Sequence, residues 1–185
     1  GKAATMYVMM DKIEDTVQGA VFRLPLKMES GTMRAATSPV DGLIYYSGLT
    51  GWQAGATQEG SIQRLRHTGN KGIYLMEAKA RKNRLELTFT EPVNADSIKK
   101  DSFAASAWNY RWSKGYGSPT FKISNPEIRG DDKLLIESID LSNDGKKLIV
   151  QIPDLSPCHN LKLDFAVDGK NGASLAGPVY FTIHK

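Results

Sequence analysis

The sequence predicts an all-β protein, and three observations lead to that prediction. Short β-prone segments follow one another along the 185 residues and are separated by glycine-containing turns. Leu85, Leu87 and Phe89 alternate with polar residues, as in a strand with one buried side. Tight-turn signals such as Asp41-Gly42 and the Asn-Asp-Gly of residues 143–145 stand between strand-like segments.

The first part of the chain predicts a small antiparallel unit. Five segments in it are β-prone: residues 5–10, 17–24, 33–38, 43–47 and 62–67. Asp41-Gly42 predicts a hairpin between the third and fourth of these segments. Residues 48–60 contain four glycines and one large side chain, Trp52, and therefore predict a loop.

The polar, glycine-flanked segment at residues 69–72 predicts a domain border. We therefore predict one unit over residues 1–72 and a second over residues 73–185. Seven short strands are expected in the second unit, at 73–79, 84–90, 103–112, 134–141, 147–152, 161–167 and 179–184. This spacing is typical of a two-sheet β-sandwich, with a short helical turn expected at residues 95–100.

The distribution of charge argues against a nucleic-acid partner. The net charge is +4 and the isoelectric point is near 9.1. Each predicted unit carries only about half of the excess, because basic and acidic residues are interspersed throughout. The densest basic run, Lys79 to Arg84, is expected at a solvated hairpin tip.

The sequence contains one cysteine, Cys158, which excludes an internal disulfide framework and a cysteine-based zinc or iron–sulfur site. We expect it to be a partly buried small residue beside a turn. No apolar run approaches the ~20 residues needed to cross a bilayer, so membrane insertion is not expected.

Catalytic and metal-binding patterns are not evident. The three histidines, His67, His159 and His184, are not part of a recognisable nucleophile motif. Carboxylates at residues 131, 132, 140 and 144 do not have EF-hand spacing. We therefore predict neither a catalytic residue nor a metal ligand in this chain.

The aromatic stretch from Trp108 to Phe121 is the main candidate surface. Trp108, Tyr110 and Trp112 would share one face of a strand, with Arg111 opposite. These rings could bind a sugar, since sugars present apolar C–H faces, or they could fill the sandwich core. The candidate ligand or interdomain contacts are Trp52, Gln53, Trp108, Tyr110, Arg111, Trp112 and Tyr116.

Several segments resemble a known family. They are Gln18-Gly-Ala-Val-Phe-Arg-Leu-Pro-Leu, the run from Ser38 to Gln53 ending in Gly-Leu-Thr-Gly-Trp-Gln, and Gln63-Arg-Leu-Arg-His-Thr-Gly. These resemble the closing part of a six-bladed β-propeller related to soluble quinoprotein sugar dehydrogenases. The remainder, with Leu87-Thr-Phe-Thr-Glu-Pro-Val, Trp108-Asn-Tyr-Arg-Trp and Tyr116-Gly-Ser-Pro, is similar to the Ig-like domain that follows it in large secreted bacterial proteins.

The resemblance implies a partial propeller-like antiparallel β unit followed by an Ig-like β-sandwich. Residues 1–72 would supply only the last blade or blades, so the residues for a quinone cofactor and calcium would lie elsewhere and this chain would hold no cofactor. The expected function is a non-catalytic structural or accessory binding region of a larger secreted, periplasmic or cell-surface protein. Its expected partners are the rest of the parent chain and, secondarily, carbohydrate. The alternative is the terminal blade and accessory domain of a quinoprotein-like sugar oxidoreductase.

Overall fold

The protein is all-β, as predicted. A computed structural model describes residues 4–51 and 55–185. The described strands are β1 (Met6–Ile13), β2 (Thr16–Arg23), β3 (Gly31–Thr37), β4 (Ile44–Leu49), β5 (Gly60–Leu65), β6 (Leu75–Arg81), β7 (Arg84–Phe89), β8 (Ala104–Tyr110), β9 (Thr120–Phe121), β10 (Asp132–Leu134), β11 (Ile139–Leu141), β12 (Lys147–Gln151), β13 (Cys158–Asp168) and β14 (Ser174–Ile183). Two short 3-10 helices, Ala95–Ser97 and Lys100–Ser102, stand where the helical turn was expected.

Two antiparallel sheets form the sandwich. One has the strand order β1-β2-β14-β13-β8-β10, with the short β9 paired to β8. The other has the order β11-β12-β7-β6. Their inner faces share one hydrophobic core, in which the ring centroids of Phe89 and Phe165 lie 6.1 Å apart. The alternation predicted for β7 is confirmed, because Leu85, Leu87 and Phe89 are all buried.

The β1–β2 hairpin supplies strands to the sandwich, although it begins near residue 1. β2 pairs with β14, with Phe22 opposite Val179 and Ala20 opposite Phe181. Residues 8–22 therefore belong with residues 71–185 to a larger compact unit, and the described residues from 4 to 7 and from 23 to 70 form a smaller one. The sequence-based assignment placed this hairpin entirely in the first unit. Its core-facing residues Gln18, Ala20 and Phe22 give the reason for the difference, since all are buried.

Gln18 is a buried polar residue whose side-chain amide forms hydrogen bonds through both its nitrogen and its oxygen. Its Nε2 donates to the carbonyl of Ala80 on β6, at 3.3 Å. Its Oε1 accepts from the backbone N–H of His184, at 3.0 Å, and of Lys185, at 3.4 Å. One side chain thus joins β2 to the other sheet and to the segment after β14.

A salt bridge lies in the same region. The guanidinium of Arg81 on β6 pairs with the carboxylate of Asp11 on β1, and this contact raises the pKa of Arg81.

In the basic run from Lys79 to Arg84, two further cations form ion pairs: Lys79 pairs with Glu77 and Arg84 with Glu86. The predicted hairpin tip is confirmed, because the turn between β6 and β7 falls within the basic run, and much of its charge is neutralised locally.

One predicted strand is two strands in the structure. Residues 134–141 were expected to form a single strand, but β10 pairs with β8 in the first sheet and β11 pairs with β12 in the second. The intervening residues carry the chain between the sheets, and Ile136 is buried in the core on the way. A run of apolar residues predicts burial, but it does not show that the chain changes sheets.

The smaller unit contains the antiparallel sheet β3-β4-β5. The predicted hairpin at Asp41-Gly42 is confirmed: Gly42 has φ of +70°, and Asp41 Oδ1 accepts from the N–H of Leu43. This backbone hydrogen bond, followed by that from the hydroxyl of Tyr45, lowers the pKa of Asp41. None of the buried hydrophobic side chains of the described residues belongs to this unit.

Cys158 is buried at the start of β13, and burial raises the pKa of its thiol to about 11. The thiolate is the reactive form, so this side chain is chemically inert near neutral pH. Within the described ranges, no helix has the length and apolar character required to span a membrane.

Replacing Gln18 with Ala is expected to destabilise the protein by about 1–3 kcal/mol, because the buried carbonyl of Ala80 and N–H of His184 lose their partner. Urea unfolding followed by circular dichroism measures this change. Val17→Thr, on the exposed side of the same strand, is the control and should shift the midpoint little. Equal midpoints for Gln18→Ala and Val17→Thr would contradict the assigned role of the amide.

Candidate functional site

The candidate site is built around β8, whose two faces differ in character. Ala105 and Ala107 point into the sandwich core and are buried. Trp108 and Tyr110 have the opposite parity and lie on the outer face of the sheet. The interpretation that these rings fill the core is therefore wrong, because small alanines occupy the core side of this strand.

Trp108 packs on the outer face of the sheet. It is half-buried and lies edge-on to Tyr180 of β14, with ring centroids 6.5 Å apart and an interplanar angle of 82°. Its Nε1 is buried and has no hydrogen-bond partner among the described residues. Trp108 is therefore mainly a packing residue, with one polar atom left without an acceptor.

Tyr110 is held at the end of β8 by His159. The backbone N–H of Tyr110 donates to His159 Nδ1 at 2.9 Å, and the two rings stack with centroids 6.3 Å apart. Asn109 Oδ1 accepts from the backbone N–H of His159 at 2.8 Å. His159, which is not part of a recognisable nucleophile motif in the sequence, thus has a structural role: it positions Tyr110.

Beyond Tyr110 the chain enters the aromatic loop, residues 111–119, which is closed at its base. Asn109 pairs with Phe121 and Tyr110 with Thr120, so β8 and β9 form a hairpin around the loop. The N–H of Arg111 donates to Ser118 Oγ at 3.0 Å across the base. Gly117 takes φ of +78° near the end of the loop, a conformation that favours glycine.

Arg111 anchors the aromatic loop. Its Nη2 donates to the carbonyl of Pro126 and to Glu127 Oε1, the latter at 2.5 Å. The guanidinium also lies over the ring of Phe121, 4.3 Å from the centroid. These contacts occupy much of the guanidinium, so Arg111 is better described as a support of the loop than as a ligand contact.

The segment that receives Arg111 is itself ordered by a carboxylate. Asp132 of β10 accepts from the N–H of Ser124 at 2.7 Å and from its hydroxyl at 2.8 Å. The backbone hydrogen bond from Ser124 is the main reason why the pKa of Asp132 lies below its ordinary value. Residues 122–131 thus form a braced turn against which the guanidinium of Arg111 rests.

Trp112 and Tyr116 project from the aromatic loop into solvent. Their relative exposures are 103% and 109%, which means that nothing in the described chain covers either ring. Trp112 lies beyond the end of β8 and does not continue the face of Trp108 and Tyr110. The alternative that Trp112 fills the sandwich core is therefore wrong, and both rings belong to the exposed tip.

The remaining two candidate residues, Trp52 and Gln53, lie outside the described residues. The other five divide into two groups: Trp108, Tyr110 and Arg111 build the base of the site, and Trp112 and Tyr116 form its exposed tip.

An apolar area on the outer face of the same sheet was not predicted from the sequence. A shallow cavity of about 270 Å³ is lined there by Val8, Met10, Val17, Val21 and Tyr180, among others. Val8, Met10 and Val17 are each at least half exposed. The sequence of β2 does indicate this apolar area, because its apolar residues occur on both faces of the strand instead of alternating with polar ones.

Metal coordination has no support in the described ranges, which contain no cluster of three or more His, Cys, Asp or Glu side chains suited to an ion. Asp144, one of the carboxylates considered from the sequence, accepts hydrogen bonds from the hydroxyl of Ser142 and the N–H of Lys146. It is used in a hairpin turn, as its sequence context suggested.

No known protein family, curated protein or solved structure matches this chain. The resemblance to a propeller and an Ig-like domain therefore stays a prediction.

Replacing Arg111 with Gln is expected to loosen the aromatic loop, because the contacts to Pro126, Glu127 and Phe121 are lost together. Hydrogen exchange should become faster in peptides that cover residues 109–111 and 120–122. The global stability should change by only about 1 kcal/mol or less, since the ion pair is solvent-exposed. Arg129→Gln is the matched control, and unchanged exchange in Arg111→Gln would contradict the anchoring role.

Proposed function

We propose that this chain is a non-catalytic accessory binding region of a larger secreted protein, and that its aromatic loop contacts carbohydrate. The observation that carries the proposal is the full exposure of Trp112 and Tyr116 on a loop with an anchored base. Large rings in contact with water are unfavourable and commonly mark interaction surfaces. Sugar rings offer apolar C–H faces that pack on such rings.

The anchored base supports binding in a second way. Ordering a mobile loop on binding costs conformational entropy, and a loop held by Arg111 and by the β8–β9 hairpin avoids part of that cost. Polar groups accompany the rings, since Ser113 and Lys114 are exposed between them. Rings with nearby hydrogen-bonding groups are the combination that sugar hydroxyls and C–H faces require.

We infer that the parent protein is secreted, periplasmic or at the cell surface, where polysaccharides are accessible, and that the rest of the parent chain is the other partner. The small sheet β3-β4-β5, which contributes no buried hydrophobic side chain, is the part of the structure that favours attachment to further protein.

A second candidate function is the terminal blade and accessory domain of a quinoprotein-like sugar oxidoreductase. The observation that favours it is the up-and-down order of β3, β4 and β5, which resembles part of a propeller blade. The cofactor site would then belong to blades outside this sequence. Pyrroloquinoline quinone and calcium should bind to the longer parent chain and not to this chain, and failure of the parent to bind either would reject this candidate.

Glycan binding is expected to change the emission of Trp112. In a Trp52→Phe, Trp108→Phe background, Trp112 is the only tryptophan. Titration with neutral oligosaccharides of β-glucan, xylan, mannan and chitin type should give a saturable shift for at least one of them. Adding Tyr116→Ala should weaken that binding about tenfold, since aromatic anchors commonly contribute more than 1 kcal/mol.

Tyr74→Ala, at another exposed tyrosine of the larger unit, is the matched control and should leave the affinity unchanged. An unaltered spectrum across the whole panel, or equal affinities for the Tyr116→Ala and Tyr74→Ala variants, would reject carbohydrate contact at this loop.

A further inference from the structure

One face of the small sheet is exposed at most of its positions, with Tyr45 half-buried. Residues paired across the strands share a face, and the register places Arg34, Ser47 and Ile62 in one row. The next row on that face contains Ala36, Tyr45 and Arg64. We name this surface the arginine face, defined by Arg34, Ala36, Tyr45, Ser47, Leu49, Ile62 and Arg64.

The arginine face combines exposed apolar groups with positive charge. Ile62 is 80% exposed and Leu49 is 47% exposed. Arg34 and Arg64 stand on the two outer strands in neighbouring rows, roughly 12 Å apart between their Cα atoms. Neither forms an ion pair within 4 Å in the part of the chain that the structure describes. The carboxylate of Asp41, at the hairpin end of the sheet, accepts from the hydroxyl of Tyr45 and interacts electrostatically with Arg64, which is the smallest of the causes that lower its pKa.

The opposite face of the sheet is different. Ser61 and Gln63 are partly buried there and bond to the segment before β3: the hydroxyls of Ser30 and Ser61 are 2.5 Å apart, and the N–H of Glu29 donates to Gln63 Oε1. The chain therefore covers part of one face and leaves the arginine face free. A three-stranded sheet is stable on its own only if it has a hydrophobic face or packs against another element of the protein.

We propose that the arginine face is a docking surface for an acidic protein segment that also carries apolar side chains. Carboxylates of such a segment would pair with Arg34 and Arg64, whose planar guanidinium groups suit bidentate contact with carboxylate. Its apolar side chains would cover Ile62 and Leu49. Tyrosine and arginine are enriched at the centres of protein interfaces, where the buried area is also more apolar than the rim.

Other occupants fit this face less well. A second copy in a twofold arrangement would bring two positively charged faces together. Single-stranded nucleic acid requires several stacking rings, and this face has only Tyr45, whose hydroxyl is bonded to a carboxylate. An anionic polysaccharide would satisfy the arginines, but its hydroxyl-rich chain would cover Ile62 poorly. The inference is independent of the carbohydrate proposal, because that proposal concerns residues of the larger unit.

Fluorescence anisotropy of a labelled random copolymer of glutamate and tyrosine, titrated with the full chain, tests the proposal. The copolymer should bind more tightly than polyglutamate, and raising the salt from about 0.05 to about 0.5 M should weaken its binding. Arg34→Gln and Arg64→Gln should each reduce the affinity about twofold to fivefold, the range expected for exposed ion pairs. Ile62→Ser should weaken binding of the copolymer and leave that of polyglutamate unchanged.

Two further variants are controls. Arg129→Gln removes an exposed arginine from the larger unit and should have no effect, and Arg64→Lys should restore part of the lost affinity. Unchanged thermal unfolding midpoints would show that the variants are folded. Absence of copolymer binding, equal affinities for the wild type and an Arg34→Gln, Arg64→Gln double variant, or equal binding of polyglutamate and copolymer would overturn the proposal. Tighter arginine-dependent binding of polygalacturonate or oligothymidylate would overturn it in favour of a glycan or nucleic-acid partner.

Discussion

The buried amide of Gln18 is the interaction on which the sandwich depends. Leaving a buried polar group unpaired is costly, so a buried glutamine is tolerated only where its partners are in place. Here those partners come from β6 and from the segment after β14. The β1–β2 hairpin is therefore bound in register to both sheets by one side chain, and the Arg81–Asp11 pair supports the same connection.

The exposed aromatic tip follows from how that sandwich is packed. Ala105 and Ala107 take the core side of β8, and strand alternation therefore places Trp108 and Tyr110 on the outer face. Past the end of the strand, Trp112 and Tyr116 have no sheet to pack on, and only the base of their loop is fixed. The loop thus combines a fixed base with an exposed aromatic tip, a combination that a purely structural loop does not require.

The sequence could predict the features that depend on local patterns. The alternation in β7 and the Asp-Gly turn at residue 42 depend on neighbours within a few positions, and both are as predicted. The pairing of β2 with β14 could not be predicted, because no local pattern records which distant strand a segment will join. In the candidate site, too, some features could be predicted from the sequence and others could not. The aromatic residues were evident from composition, whereas the burial of Trp108 and the exposure of Trp112 depend on where β8 ends and on which face the alanines occupy.

The pairing of β2 with β14 has a consequence for biosynthesis. Gln18 and His184 are separated by 166 positions, so the β1–β2 hairpin is translated long before the strand with which it pairs. Contacts of such long sequence separation form slowly, since the entropy of closing the loop is lost before the contact stabilises the chain. During that interval the apolar hairpin is exposed, a state in which unpaired strands are prone to aggregate.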